Sequence, residues 1–273
     1  MFKKWIVPTV FLIGAIIFLY PIASNWLIDK EHHTVISEHN EVLHQMTEDE
    51  KKQEAKKAEE HNESLQESAI PITDPFSDEV EETTTGYYDV LNIGETMGSV
   101  EIPSLNINLP IYHGVGEDVL QQGVGHMSNS SFPVGGLGTH TALTAHRGLP
   151  SSKLFRDLDK VNKDDLFFIH TLGETLAYKV DDIKIVLPTE TNWLGMHENK
   201  DYVTLITCEP YMINTHRLLV RGERIPYQEE MAEWSKEPAK APSIFPYYLF
   251  ILSFLAIIII IVIYFRRKSR LDV

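Results

Sequence analysis

Two long uncharged runs frame the chain. The first extends from Trp5 to Ile28 behind Lys3 and Lys4, and the second from Ala241 to Phe265 ahead of Arg266, Arg267, Lys268 and Arg270. Each is long enough to cross a hydrocarbon core of ~30 Å as a helix, which assigns residues 1–28 to an N-terminal anchor. Residues 29–68 are charged, lack Pro and Gly, and place Ile36, Leu43 and Met46 at roughly helical spacing, which predicts an exposed membrane-proximal helix. Residues 69–93 turn irregular, beginning "AIPITDPFSDEVEETTTG", and predict a loop segment whose distinctive point is Asp74-Pro75-Phe76. From 94 to 226 the apolar period falls to two. "GSVEIP", "LPIYHG", "HTALTAH", "DLFFIHTLGETLAYKV", "DDIKIVLP", "DYVTLITC" and "HRLLVRGERI" alternate or run apolar between turn residues. About seven short strands predict a mainly β domain, a barrel or a sandwich. "SSKLFRDLDKV" is the one internal segment with a convincing helical pattern, capped by Ser151 or Ser152. Residues 227–243 read as a polar linker, 244–265 as a C-terminal transmembrane helix and 266–273 as a basic tail.

Composition then removes some classes. With 39 acidic residues against 24 Lys plus Arg and a net charge of −15 over 273 residues, the chain does not suit nucleic acid. Basic residues outside both apolar runs put both termini in the cytoplasm and residues between the runs outside. Tyr20-Pro21-Ile22-Ala23-Ser24 is a poor cleavage site, so the first run reads as an uncleaved anchor. His32, His33, His39 and His44 read as a solvated helix face, since no Cys or ordered carboxylate shell accompanies them as metal ligands.

The chain has one cysteine, Cys208, in a compartment that favours disulfides. It is therefore a buried small hydrophobe, an intermolecular linker or a reactive thiol. Strand alternation puts Thr204, Ile206 and Cys208 on one face and Arg217, Leu219 and Arg221 on one face of the return strand. An antiparallel return brings Arg217 close to Cys208. A guanidinium there lowers the thiol's pKa and stabilises the oxyanion formed when a carbonyl is attacked. Acyl transfer by a thiol also needs a histidine. His146 closes the strand "HTALTA" just before Arg147-Gly148, where its ring is exposed; His140, on the same face at the opposite end, stays open as an alternative. A phosphate cradle is excluded because "CEPYMINTHR" has no Gly, and a zinc site because the lone Cys has no ligand partner at metal spacing.

"TLITC" followed nine residues later by the Arg of "HRLLVRG" resembles the signature of sortases, and specifically of the pilus-assembling class C sortases of Gram-positive bacteria. The similarity extends over about 98–225. It implies a closed β-barrel of about eight strands with short helices. It also implies Cys208 as nucleophile, His146 as proton-transferring partner and Arg217 as the oxyanion or substrate-positioning cation, with Arg221 as a structural alternative. The resemblance implies cleavage of an LPxTG-like signal between Thr and Gly, a thioester on the cysteine, and transfer to a lysine of another pilin subunit. The C-terminal span and Asp74-Pro75-Phe76, which matches the lid that this class places over its active site, point to class C; the lid contacts would be Asp74 to Arg217 and Phe76 over Cys208. Glu209 departs from the small polar residue common after the cysteine, and an acid there opposes thiolate formation. No cofactor is implied. A sortase that anchors surface proteins to peptidoglycan uses the same residues, and a membrane-tethered binding module with an inert thiol is the non-enzymatic alternative.

Overall fold

The computed structural model describes residues 3–67, 73–77, 86–149, 152–228 and 231. The chain divides into two compact units, Met1–Glu237 and Pro238–Val273. The second unit, with the expected C-terminal span and basic tail, lies outside the described residues.

Eight strands close into a barrel: β1 (Gly98–Ile102), β2 (Ile107–His113), β3 (Val124–His126), β4 (Thr139–Thr144), β5 (Leu166–Thr171), β6 (Glu174–Val186), β7 (Asp201–Glu209) and β8 (His216–Ile225). Their order around the barrel is β1-β2-β3-β4-β7-β8-β6-β5. β2 with β3 and β4 with β7 are parallel, and the other pairs are antiparallel. β5 and β6 form a hairpin about Leu172-Gly173, both at positive φ (51° and 82°), the conformation a two-residue hairpin turn requires. The stretch "DDIKIVLP" is not a separate strand. It continues β6 past an irregularity between Val180 and Asp182, and the strand count reaches eight through the short β3 instead.

The period of two sorts β7 and β8 into an inner and an outer face. Val203, Leu205, Leu218 and Val220 join Leu143, Val100 and Ile169 in the barrel core, each large side chain contributing about 1.5–3 kcal/mol on burial. Gly222 belongs to the inner face because a Cβ there would lie 2.4 Å from Cε1 of Phe167, whose ring stacks on Tyr178 with centroids 5.4 Å apart. On the outer face Ile206 and Leu219 join Met127, Ala142 and Leu194 in a second, smaller cluster, against which Phe76 and Trp193 pack. Of that cluster Met127 and Phe76 reach the candidate site.

The segment 152–161 corrects the expected internal helix. It forms turns that end in a single 3-10 turn, Leu158–Lys160. Leu154, Phe155, Leu158 and Val161 are buried, so the apolar spacing reflects burial of a turn sequence beneath the barrel wall.

The N-terminal helices also differ from expectation. α1 (Lys3–Gln45) and α2 (Glu48–Glu67) are two helices, broken by Thr47. Glu50 N donates to Thr47 Oγ1 at 3.3 Å while Thr47 N donates to Glu50 Oε2 at 2.7 Å, a capping box that starts α2. Neither helix is a solvated stalk throughout. His32 Nε2 meets the carbonyl of Gln122 at 2.7 Å, His39 Nδ1 meets that of Ile93 at 3.0 Å, and Leu43, Ala58 and Leu65 are buried. The side-chain amide of Asn62, also buried, makes a two-bond clasp with Phe132: Nδ2 donates to its carbonyl (3.2 Å) and Oδ1 accepts from its N–H (2.7 Å). From Thr9 onward α1 is, by length and composition, long and apolar enough to cross a membrane.

Asn62→Ala is expected to destabilise the protein by about 1–3 kcal/mol, because it leaves the buried N–H of Phe132 without a partner and its carbonyl with the Val134 N–H alone. Urea unfolding followed by circular dichroism reads the loss, and an unchanged midpoint would show that α2 does not dock in solution.

Candidate active site

The β7/β8 register sets Cys208 directly opposite Arg217. Both side chains leave the outer face of the barrel and are largely buried. The connection between the strands folds back on itself, with Ile213 N and Asn214 N both donating to Pro210 O and with Met212 and Asn214 in the left-handed region. That fold delivers the Asn214 carbonyl to Arg217 Nη1 at 3.0 Å, and Nη1 also donates to the His216 carbonyl at 3.0 Å. The guanidinium is thus fixed on one edge by backbone.

Its other edge meets the Asp74-Pro75-Phe76 segment, the lid that the sequence leads one to expect. Arg217 Nε donates to Asp74 Oδ1 at 2.7 Å and Nη2 to Oδ2 at 2.6 Å, a bidentate pair. Asp74-Pro75-Phe76-Ser77 is a β-turn closed by Ser77 N to Asp74 O at 3.0 Å, with Asp and Pro at the positions such turns favour. The Phe76 ring lies between two charged or chargeable groups: its centroid is 5.0 Å from Arg217 Cζ and 5.8 Å from the His146 ring centroid. The two side chains of the ion pair are 9% and 12% exposed, so the contact is better shielded from water than a surface salt bridge.

His146 stands two residues beyond β4. Its loop is pinned to β7, because Ala145 N donates to Ile206 O at 3.1 Å and Thr207 Oγ1 donates to Ala145 O at 2.8 Å. His146 Nε2 faces Glu117 Oε2 at 3.2 Å, on the short helix α3 (Glu117–Gln122). Asp74, Phe76, Glu117, His146, Cys208 and Arg217 line one cavity of about 820 Å³. The two alternatives lie elsewhere. His140 is a buried residue of β4, with Nε2 2.7 Å from Thr204 Oγ1 of β7 and Nδ1 3.0 Å from the Gly195 carbonyl; burial pushes its pKa down to about 4. Arg221 shares the face of Arg217 but pairs through Nε and Nη2 with Asp181, which the irregularity in β6 leaves outside the strand register, and it stacks 4.3 Å from the Tyr202 ring.

Burial pushes the Cys208 thiol up to about 11; Arg217 opposes that rise, Asp74 adds to it and Arg147 opposes it. With the lid segment in place the thiol is therefore neutral near pH 7. Glu209 does not face the sulfur as an unpaired acid. Its carboxylate forms an ion pair with Arg147 Nη1, whose Nη2 meets Asp159 Oδ2 at 3.0 Å. Arg147 and Glu117 are the neighbours of the site that sequence reasoning did not single out. Arg147 carried one signal, its place directly after His146; Glu117 carried none, because its partner is 29 residues away.

Residues 100–225 match the sortase domain family. The fold is similar to that of Streptococcus pneumoniae sortase C, with a TM-score of 0.67 and 44% identity over 71% of this chain and 97% of that one. Streptococcus agalactiae sortase C1 gives a TM-score of 0.68 and 43% identity over 73% of this chain and 98% of that one. The chain belongs to the sortase family. Sortases are cysteine transpeptidases, and the solved structures named here are of class C. Among curated proteins, sortase D of Bacillus subtilis strain 168 is 32% identical over 136 residues, 48% of this chain and 65% of that protein. Sortase A of Streptococcus agalactiae serotype III is 30% identical over 132 residues, 46% of this chain and 52% of that protein. The chain thus spans less than two thirds of the length of these curated relatives.

Removing the contacts of the lid segment through Asp74→Ala with Phe76→Ala is expected to speed alkylation of Cys208 about ten- to a hundredfold at pH 7, since the closed population limits access. The pH midpoint of alkylation should also fall, because burial and the Asp74 charge both favour the neutral thiol. Labelling followed by mass spectrometry, with Cys208→Ala as blank, reads both; a parental rate would make this segment an ordinary loop.

Proposed function

We propose that this sortase cleaves an LPxTG-like sorting signal and transfers its acyl part to a lysine of a pilin, polymerising pilus subunits. The observation that carries this reading is the convergence of Cys208, His146 and Arg217 on one cavity, with Asp74 and Phe76 in its wall. Support for the pilin acceptor comes from the relatives: the Streptococcus pneumoniae sortase C structure is described for catalysis and pilin substrate specificity, and a Streptococcus agalactiae sortase C1 is that of a pilus island.

The proposed sequence begins when the lid segment leaves and Arg217 loses Asp74. His146 takes the Cys208 proton, and Sγ attacks the Thr carbonyl carbon. Negative charge gathers on the carbonyl oxygen, where the Arg217 guanidinium, still fixed by the Asn214 and His216 carbonyls, stabilises it. The C–N bond to Gly breaks as the His146 imidazolium protonates the leaving nitrogen, which leaves a thioester. A lysine amine then gives a proton to His146 and attacks that thioester. The C–S bond breaks, an isopeptide bond forms, and Cys208 recovers its proton. No step draws on a cofactor.

Incubating the protein with a sorting-signal peptide is expected to yield a covalent acyl adduct on Cys208 by mass spectrometry, and adding the partner pilin should convert it to an isopeptide-linked dimer. Cys208→Ala should form neither. Transfer to a peptidoglycan amine and not to the pilin would replace pilus assembly by cell-wall anchoring.

We further infer a two-pass topology with both termini cytoplasmic and the barrel outside, from Lys3 and Lys4 before the first apolar run and the cluster from Arg266 to Arg270 after the second. Protease added to intact protoplasts should digest the barrel and spare a C-terminal tag. The reverse pattern would refute this orientation.

A further inference from the structure

Arg147 is 7% exposed, yet it carries a full charge beside the reactive thiol. It links three pieces of chain. Nη1 pairs with the carboxylate of Glu209 and donates to the Cys208 carbonyl at 3.5 Å, Nη2 pairs with Asp159 at 3.0 Å, and Nε has no partner among the described residues. Its backbone directly follows His146, and Glu209 directly follows Cys208, so one buried ion pair ties the two reacting side chains' segments together. A buried guanidinium with one donor unspent and one carboxylate 19% exposed is a costly way to build a latch, since desolvation offsets much of the attraction. The charge itself has a use here, because the guanidinium sits against the Cys208 carbonyl, close enough to oppose the rise that burial gives the thiol's pKa.

We propose that Arg147 is a positioning residue that supplies a second buried positive charge to the Cys208 thiolate, and that Glu209 limits how much of that charge the sulfur feels. This rests on Cys208 being the nucleophile. The charged and titratable groups around the thiol are Arg217 from β8, Asp74 from the 74–77 turn and Arg147 from the loop after β4, with His146, Glu117 and Asp118 on the wall of the same cavity and Glu209 and Asp159 reaching the site through Arg147. Arg217 is matched by Asp74 while the lid segment is in place. Arg147 is matched by Glu209, and on its far edge by the half-exposed Asp159, whether it is in place or not. Opening therefore frees one cation and leaves the other compensated, and the acid at position 209 sets the resting reactivity of the opened site.

The signs of two single substitutions separate this proposal from a purely mechanical latch. The full chain carrying Asp74→Ala and Phe76→Ala is alkylated with iodoacetamide across pH, with mass spectrometry as the readout; the plateau reports access and the midpoint reports ionisation. Adding Glu209→Gln should lower the midpoint and raise the rate at pH 7 about threefold, roughly half a pKa unit. Arg147→Met, which leaves Glu209 unbalanced, should raise the midpoint and slow the reaction about tenfold, one unit. The double variant should return to within about twofold of its background. A Glu209→Gln protein whose midpoint is unchanged or higher overturns the proposal, and that variant decides alone where Arg147→Met does not fold. The assay reads the thiol without a sorting signal, so its outcome is separate from success or failure of the transpeptidation assay.

Discussion

The antiparallel register that opposes Cys208 to Arg217 is the constraint on which the site depends. A slip by one residue would turn both side chains into the barrel core, where Thr207 and Leu218 now sit, and would expose Leu205 and Val220. The register is therefore held by the whole apolar alternation of both strands. Catalytic geometry is in this sense a by-product of core packing. The inner face fixes the strands, and the outer face, freed from that duty, carries the thiol and the guanidinium at one end.

The same outer face shows how polar groups are partitioned. His140 and Arg221 lie on it with their partners already fixed: Thr204 and the Gly195 carbonyl for the first, Asp181 and the Tyr202 ring for the second. Both stabilise the wall. His146 and Arg217 instead stand where strands end, beside a cavity, and their partners Glu117 and Asp74 come from segments outside the barrel sheet. Groups whose partners are supplied from outside the scaffold can exchange them for a substrate, and groups paired within it cannot.

Most of the strands were legible in the sequence because a half-buried strand writes its burial as alternation, and "DYVTLITC" and "HRLLVRGERI" do so clearly. The barrel order was not, since the parallel pairing of β4 with β7 joins segments more than fifty residues apart and leaves no local mark. β3, three residues long, is too short to show a period. The helix expected at "SSKLFRDLDKV" is absent because its apolar residues satisfy helical spacing while they are buried by consecutive turns. The docked N-terminal helices were hidden by the chemistry of their contacts. His32, His39 and Asn62 reach barrel backbone through polar atoms, and a polar residue that is buried looks in sequence like one that is solvated. Cys208, His146, Arg217, Asp74 and Phe76 were legible as a set because family resemblance carries long-range proximity that periodicity does not. Glu209 was read as a threat to the thiolate because its partner Arg147 lies 62 positions earlier and could not be seen.

Charge bookkeeping connects the lid segment to the chemistry. With the Asp74–Ser77 turn in place, Arg217 is paired with Asp74 and Arg147 with Glu209 and Asp159, and burial then decides the protonation of the thiol, which stays neutral. In the proposed opening, departure of the turn would remove three restraints at once: the ring that lies between His146 and Arg217, the carboxylate that neutralises Arg217, and part of the burial that penalises the thiolate. Each change favours the same species. A single displaced segment would therefore couple access to ionisation, so the proposed nucleophile would become competent in the state in which a carbonyl can reach it. Coupling of this kind needs no second conformational element, because Asp74 and Phe76 belong to one β-turn and cannot leave separately. The oxidising surroundings that the proposed topology gives the barrel supply a chemical reason for the arrangement, since an exposed thiolate there is open to oxidation and a buried neutral thiol is not.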